Sequence, residues 1–195
     1  MIIDISSYNG TIDFEKLNKN YPMERVILRG TTRNGNIDTR FVEHLNGCLE
    51  YLPNDCIIDA YKFSYARTYA NAAIECTQLL ESISSVGALP FITDIWLDLE
   101  PFDDKSHTTA ECAEIIAAYM DICKGYNKPL GIYASYSYCK RILPKWAQNI
   151  PIWCARWTDG DMGDIKPFKA VLWQYSSKGQ LLGINGNVDL SRAVL

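Results

Sequence analysis

Asp98 and Glu100 close the run ITDIWLDLE, residues 92–100. The rest of that run carries Ile92, Ile95, Trp96, Leu97 and Leu99, as a strand buried in a core would. Side chains alternate along a strand, so Asp98 and Glu100 share one face, with Cα atoms roughly 6.6 Å apart. Asp94 shares that face but sits deeper and is read as structural. If both point inward, two carboxyls are held together in a poorly solvated place, where like charge and loss of water raise one of their pKa values. A carboxylic acid that stays protonated near neutrality is what cleavage of a glycosidic bond requires. A D-x-E pair is common, however, and by itself serves structure as readily as chemistry, so its weight depends on the elements around it.

Those elements alternate. MIIDIS, RVILRG (25–30), CIIDAYKFSYA, the ITDIWLDLE run and LGIYAS read as strands. Between them lie helical patterns: TIDFEKLNKN, residues 38–52, residues 69–85, a helix from a Thr108–Glu111 capping box to a stop at Gly125, and a short helix near 136–148. The first long pattern buries Phe41, Leu45, Cys48, Leu49 and Leu52. The capped helix buries Cys112, Ile115, Ile116, Tyr119, Met120 and Cys123. IPIWCARW, AVLWQYSS and NVDLS then follow as three strands with no helix-length segment between them. Strands alternating with helices imply a parallel sheet covered by helices. Eight strands suggest closure, but a full eightfold barrel takes about 250 residues and this chain has 195. The expected fold is α/β: a modified, incomplete (β/α)8 barrel of about eight strands and five helices, in a single domain over 1–195. An open doubly wound sheet is the alternative. It fits the C-terminal third poorly, because helices must cover both faces of such a sheet.

In a barrel, residues at the C-terminal ends of strands line the active site. Asp4 lies on the first strand and Asp189 on the eighth, and closure makes those strands neighbours. Asp4, Asp98, Glu100 and Asp189 would then meet over one cleft.

Composition narrows the classes further. The chain is 48% apolar with a net charge of −4. It has no Lys/Arg run, so nucleic acid is not expected as a partner. No apolar run reaches the roughly 18 residues of a membrane span. No signal peptide is visible at the start. Twelve Tyr and five Trp suit sugar rings as well as cores. Seven cysteines without a CxxC, and two histidines, predict no metal site and no cofactor; the cysteines are expected to pack as small hydrophobes. His44 and His107 are expected at the surface. Ser176-Ser177-Lys178-Gly179 is read as a turn, since no GxSxG elbow, P-loop or GxGxxG occurs.

Several ordered motifs resemble those of glycoside hydrolase family 25 lysozymes. IDISSYNGTIDFEKL resembles their opening, VILRGTTRNGNIDTRF their second segment, YKFSYART their third strand and IWLDLE their D-x-E. GIYAS, PIWCARW and LWQYSSKGQLLGINGNVDLS resemble their last strands in order. The resemblance implies a β-1,4-N-acetylmuramidase acting on bacterial cell-wall peptidoglycan, outside the cell or after release by lysis. It implies Glu100 as general acid/base, Asp98 as the acid beside it, and Asp4 and Asp189 as the other acids. Tyr61, Tyr133 and Trp173 match aromatic positions near the glycan, and Trp157 falls at a sugar subsite. The chain departs from the pattern at Trp157, where Tyr is common, at Ser191, where Asn is common, and at Phe14, where Trp is common. A separate wall-binding module is not expected, and a monomer is. The rival readings are a chitinase-like or endo-N-acetylglucosaminidase enzyme and a non-catalytic glycan-binding protein. Against the first, Thr93 and Trp96 occupy the first two acidic positions of D-x-x-D-x-D-x-E. Against the second, all four acids are present.

Overall fold

Residues 1–158 and 168–194 are described by a computed structural model. The apolar strand segments form a closed barrel in chain order: β1 (Ile2–Ile5), β2 (Arg25–Arg29), β3 (Ile57–Phe63), β4 (Ile95–Asp98), β5 (Leu130–Ser135), β6 (Ile152–Ala155), β7 (Ala170–Gly179) and β8 (Val188–Ala193). Five helices lie among the first six strands: α1 (Phe14–Asn20), α2 (Phe41–Tyr51), α3 (Tyr69–Ser85), α4 (Thr109–Gly125) and α5 (Tyr136–Ile142). This is the incomplete (β/α)8 plan, and closure through β1 and β8 excludes the open sheet.

One expectation is corrected. The sheet is parallel only from β1 to β7; β8 runs antiparallel to both β7 and β1. The connection over 180–187 explains this, because a parallel crossover needs a dozen or more residues. Reversal puts the start of β8, not its end, at the mouth where the parallel strands finish. Asp189, its second residue, is thereby set opposite Asp4.

Alternation sorts the barrel into two cores. Outward residues such as Leu28, Ile95, Leu97 and Ile132 pack under the helices. Inward residues Ile2, Ile27, Trp96, Trp153 and Leu172 fill the lumen. Gly131 is needed there: a Cβ on it would sit 2.3 Å from the Trp96 ring. Below this layer, Arg25 pairs with Asp59 and, at 3.1 Å, with Asp94. Asp59 also accepts the Trp96 indole N–H at 2.8 Å. Asp94 is therefore part of the barrel floor, as its depth in the strand predicts.

α4 begins at the predicted capping box. Glu111 N donates to Thr108 Oγ1 at 3.1 Å, and Thr108 N donates to Glu111 Oε2 at 2.7 Å. Gly125 ends the helix without the left-handed turn; Asn127, at φ 53°, takes that role. Met120 and Leu49, expected in the core, are exposed, because each falls beside its helix's buried stripe. The helix expected over 136–148 stops at Ile142, and Pro144 leads into a separate 3-10 turn, Lys145–Asn149.

Both histidines are buried, against expectation. The His44 ring contacts the Gly10 carbonyl at 2.8 Å, and His107 lies between Tyr138 Oη (2.6 Å) and the Ala66 carbonyl (3.1 Å). Such partners satisfy an imidazole inside a protein. Ser176–Gly179 is not a turn but the bulged end of β7, which carries register shifts against β8. The seven cysteines are free, and all but Cys56 are buried.

Candidate active site

A hollow of about 280 Å3 opens at the C-terminal end of the parallel strands. Asp4, Asp98, Glu100 and Asp189 all line it, together with Tyr61, Tyr133 and Trp157. Each is delivered by an inward position: Asp4 near the end of β1, Tyr61 on β3, Asp98 closing β4 with Glu100 two residues on, and Tyr133 on β5. Trp157 is 61% exposed and forms the rim. A larger hollow, about 660 Å3, lies at the opposite end around Pro129, Leu130, Ile150 and Pro151, and brings no carboxylates together.

Trp173 is not brought to the cleft. It has the opposite parity to Leu172 and packs in the outer core, where its indole N–H donates to the Arg156 carbonyl at 2.8 Å. The Arg192 guanidinium covers its ring at 4.2 Å. Its neighbour Gln174 points inward instead and joins three site residues. Gln174 Nε2 donates to Asp4 Oδ2 at 3.0 Å. Its amide oxygen accepts from Tyr133 Oη at 2.9 Å and from the Trp157 indole at 3.2 Å. Sequence reasoning missed Gln174. The available signal was an amide at the inward parity of an otherwise apolar strand. Trp153, also missed, supports the site from below: its ring meets Tyr133 edge-on at 4.5 Å, and its N–H donates to Ser191 Oγ at 3.0 Å.

Burial dominates the electrostatics. Asp4 is held well above the usual carboxylate range by burial first and then by the charge of Asp189; the Gln174 hydrogen bond opposes this. A hydrogen bond between the two acids raises Asp4 and lowers Asp189, and the two titrate as a pair. Asp98 is likewise held well up by burial, then by Glu100 and Asp4. Its Oδ1 is buried with no hydrogen-bond partner among the described residues. Glu100 is raised by burial and then by Asp189. Four carboxyls in one hollow cannot all ionise, because each new charge makes the next more costly. The arrangement therefore holds protons above the ordinary carboxylate range and can deliver one to a bound atom at the mouth.

The family model for glycosyl hydrolases family 25 matches residues 3–184. Comparison with curated proteins finds no match. Among solved structures, the chain is similar to the modular autolysin LytC from Streptococcus pneumoniae, at 24% identity and a TM-score of 0.84. That match covers 97% of this chain and 45% of the autolysin, so the chain spans less than half the length of that protein. LytC has also been solved in complex with a synthetic peptidoglycan ligand (25% identity, TM-score 0.81, covering 97% of this chain and 45% of that one). The catalytic domain of endolysin ply40 from bacteriophage P40 of Listeria monocytogenes is similar at 22% identity and a TM-score of 0.76, covering 97% of this chain and 90% of that one. These likenesses extend the barrel plan over nearly the whole chain.

Proposed function

The chain belongs to glycosyl hydrolases family 25, and we propose that it is a β-1,4-N-acetylmuramidase, cleaving peptidoglycan between N-acetylmuramic acid and N-acetylglucosamine. The observation that carries this reading is Glu100, a carboxyl whose pKa is raised by burial and by Asp189, at an open barrel mouth with aromatic walls. A glycosidic oxygen leaves readily only when it receives a proton, and sugar rings stack on aromatic faces.

In the proposed reaction Glu100 donates its proton to the leaving oxygen as the C1–O bond breaks. The carbonyl oxygen of the substrate's 2-acetamido group closes on C1, giving an oxazolinium-like intermediate. Asp98, beside Glu100 on the same strand face, orients that acetamido group. Glu100, now a carboxylate, takes a proton from water as the water opens the ring. The two inversions give net retention. Asp189 sustains the raised pKa of Glu100, and Asp4 shares a proton with Asp189. Tyr61, Tyr133 and Trp157 flank the sugars. The reaction consumes water alone and needs no cofactor. The enzyme would act as a monomer on the cell wall, outside the cell or after lysis.

Mass spectrometry of digested, borohydride-reduced peptidoglycan tests the bond cleaved. Reduced muramic acid ends are expected; reduced glucosamine ends would replace the reading with an endo-N-acetylglucosaminidase. Early NMR of the product should show the β anomer, and an initial α anomer would refute retention. Glu100→Gln should bind glycan yet lose about 10²–10⁴-fold in rate.

A further inference from the structure

The acidic hollow continues into a second one of about 390 Å3, across the shared walls Tyr61, Asp98, Ser177 and Asp189. The far side of this second hollow has the opposite charge. It is built from the stretch after β2 and the end of β3. The Arg33 guanidinium lies 4.4 Å from the Tyr65 ring centroid, and the Lys62 ammonium lies 5.6 Å from the same ring. Arg29 sits 4.8 Å from the ring of Tyr8, which is 89% exposed.

The positive charge of this wall is only partly balanced. Arg29 is paired with buried Asp38. Arg33 has Asp103 at 3.2 Å, but both side chains are more than half exposed, and such pairs hold weakly. Lys62 is buried and donates to the Thr32 carbonyl at 2.6 Å. It has no ion-pair partner among the described residues. Burial lowers its pKa, Glu75 opposes this from further off, and that carboxylate is itself occupied by Ser64 Oγ and the Tyr65 N–H. The Thr31 hydroxyl in the same wall is buried without a partner. With Arg29 held by Asp38 and Lys62 held by the Thr32 carbonyl, Arg33 is the accessible cation of the wall, and its weak exposed pair with Asp103 leaves its guanidinium open to a second anion.

We propose that this wall is a subsite for a carboxylate carried on the muramic acid substituent, either the lactyl acid itself or an acid of the peptide stem built on it. The proposal rests on the muramidase reading of the adjoining cleft. Tyr8 and Tyr65 offer apolar faces to the linking chain, while Arg33, the exposed cation of the wall, takes the acid. The cation at this end of the groove therefore fixes the register of the strand: displaced by one sugar, the strand would set a neutral N-acetylglucosamine against Arg33 in place of the acid.

The test is calorimetric binding to the Glu100→Gln protein. The probes are one peptidoglycan tetrasaccharide with free lactyl acids, the same compound with those acids converted to methylamides, and the same with stem peptides attached. The methylamide should bind about tenfold more weakly than the free acid, as loss of a charge-assisted hydrogen bond implies. Arg33→Gln, an exposed substitution added to the same protein, should bring the two within about twofold, and added salt should shrink the difference. A peptide-bearing strand that binds like the free acid assigns the wall to the stem; one that binds like the methylamide assigns it to the lactyl acid. Equal binding of the free acid, the methylamide and the peptide-bearing strand overturns the proposal, as does discrimination that survives Arg33→Gln unchanged. If the wild-type protein releases glucosamine ends, the muramidase reading falls while the charge discrimination is still read directly from binding.

Discussion

Gln174 Nε2 donates to Asp4 Oδ2 at 3.0 Å, tying the middle of β7 to the end of β1 across the barrel mouth. The amide does more than fill space. Its oxygen also receives Tyr133 and Trp157, so one side chain fixes an acid, a lumen aromatic and the rim aromatic together. Its bond to Asp4 opposes the burial that raises that acid.

Replacing Gln174 with Leu should leave a buried acceptor on Asp4 and a buried Tyr133 hydroxyl unsatisfied, at about 1–3 kcal/mol each. The expected outcome is a fall in kcat/KM of at least about tenfold on soluble peptidoglycan, with a lowered melting temperature. Unchanged kinetics would show that the amide bridge does not order the site.

The charge of Asp189 raises the pKa of Glu100. A general acid works while protonated, so activity declines as pH rises through that raised value. Asp189→Asn removes the repelling charge, lowers the pKa of Glu100 and should move the basic limb of the kcat/KM profile to lower pH. The position of the limb, not its height, is the readout. A limb that stays put separates Asp189 from the titration of Glu100.

Folding favours the protonated form of Asp98, because burial holds its pKa well above the ordinary 3.8. Its contribution to stability is therefore full below pH 3.8 and is lost as pH climbs past the raised value. Asp98→Asn removes that loss. Thermal melts should show the variant more stable than wild type by about 3 °C or more near pH 7.5, and nearly level with it near pH 3.5. Equal offsets at both pH values would contradict the sign.

Trp157 and Trp173 should separate cleanly. Trp157→Ala removes an exposed rim ring and should raise KM several-fold with little change in melting temperature. Trp173→Ala empties part of the outer core and should cost about 3–5 kcal/mol of stability, with KM of the folded fraction unchanged. The reverse pattern would return Trp173 to the glycan.

Gly131→Ala places a Cβ 2.3 Å from the rigid Trp96 ring in the lumen. Overpacking of this kind costs about 1–3 kcal/mol, or roughly 2–4 °C of melting temperature per kcal/mol. A differential scan with near-ultraviolet dichroism of the tryptophans would register both effects. An unshifted melt would mean that Trp96 has room to move.

The sequence by itself determined the strand–helix alternation, the barrel plan and which acids stand near strand ends. Those features are local: apolar periodicity, a capping box and parity along one strand each act within a few residues. Parity placed Asp98 and Glu100 on one inward face and Asp94 below them, and Asp94 duly stands in the floor with Arg25. The tertiary structure decided what depends on partners far along the chain. The reversal of β8 brought Asp189 to the mouth from the start of its strand, and β7 turned Gln174 inward and Trp173 outward. It also buried both histidines against distant partners and gathered Arg29, Arg33 and Lys62 beside the acids. A residue's facing and its pKa are set by neighbours that only closure of the barrel supplies, because burial and Coulomb interaction depend on distance in space and not along the chain.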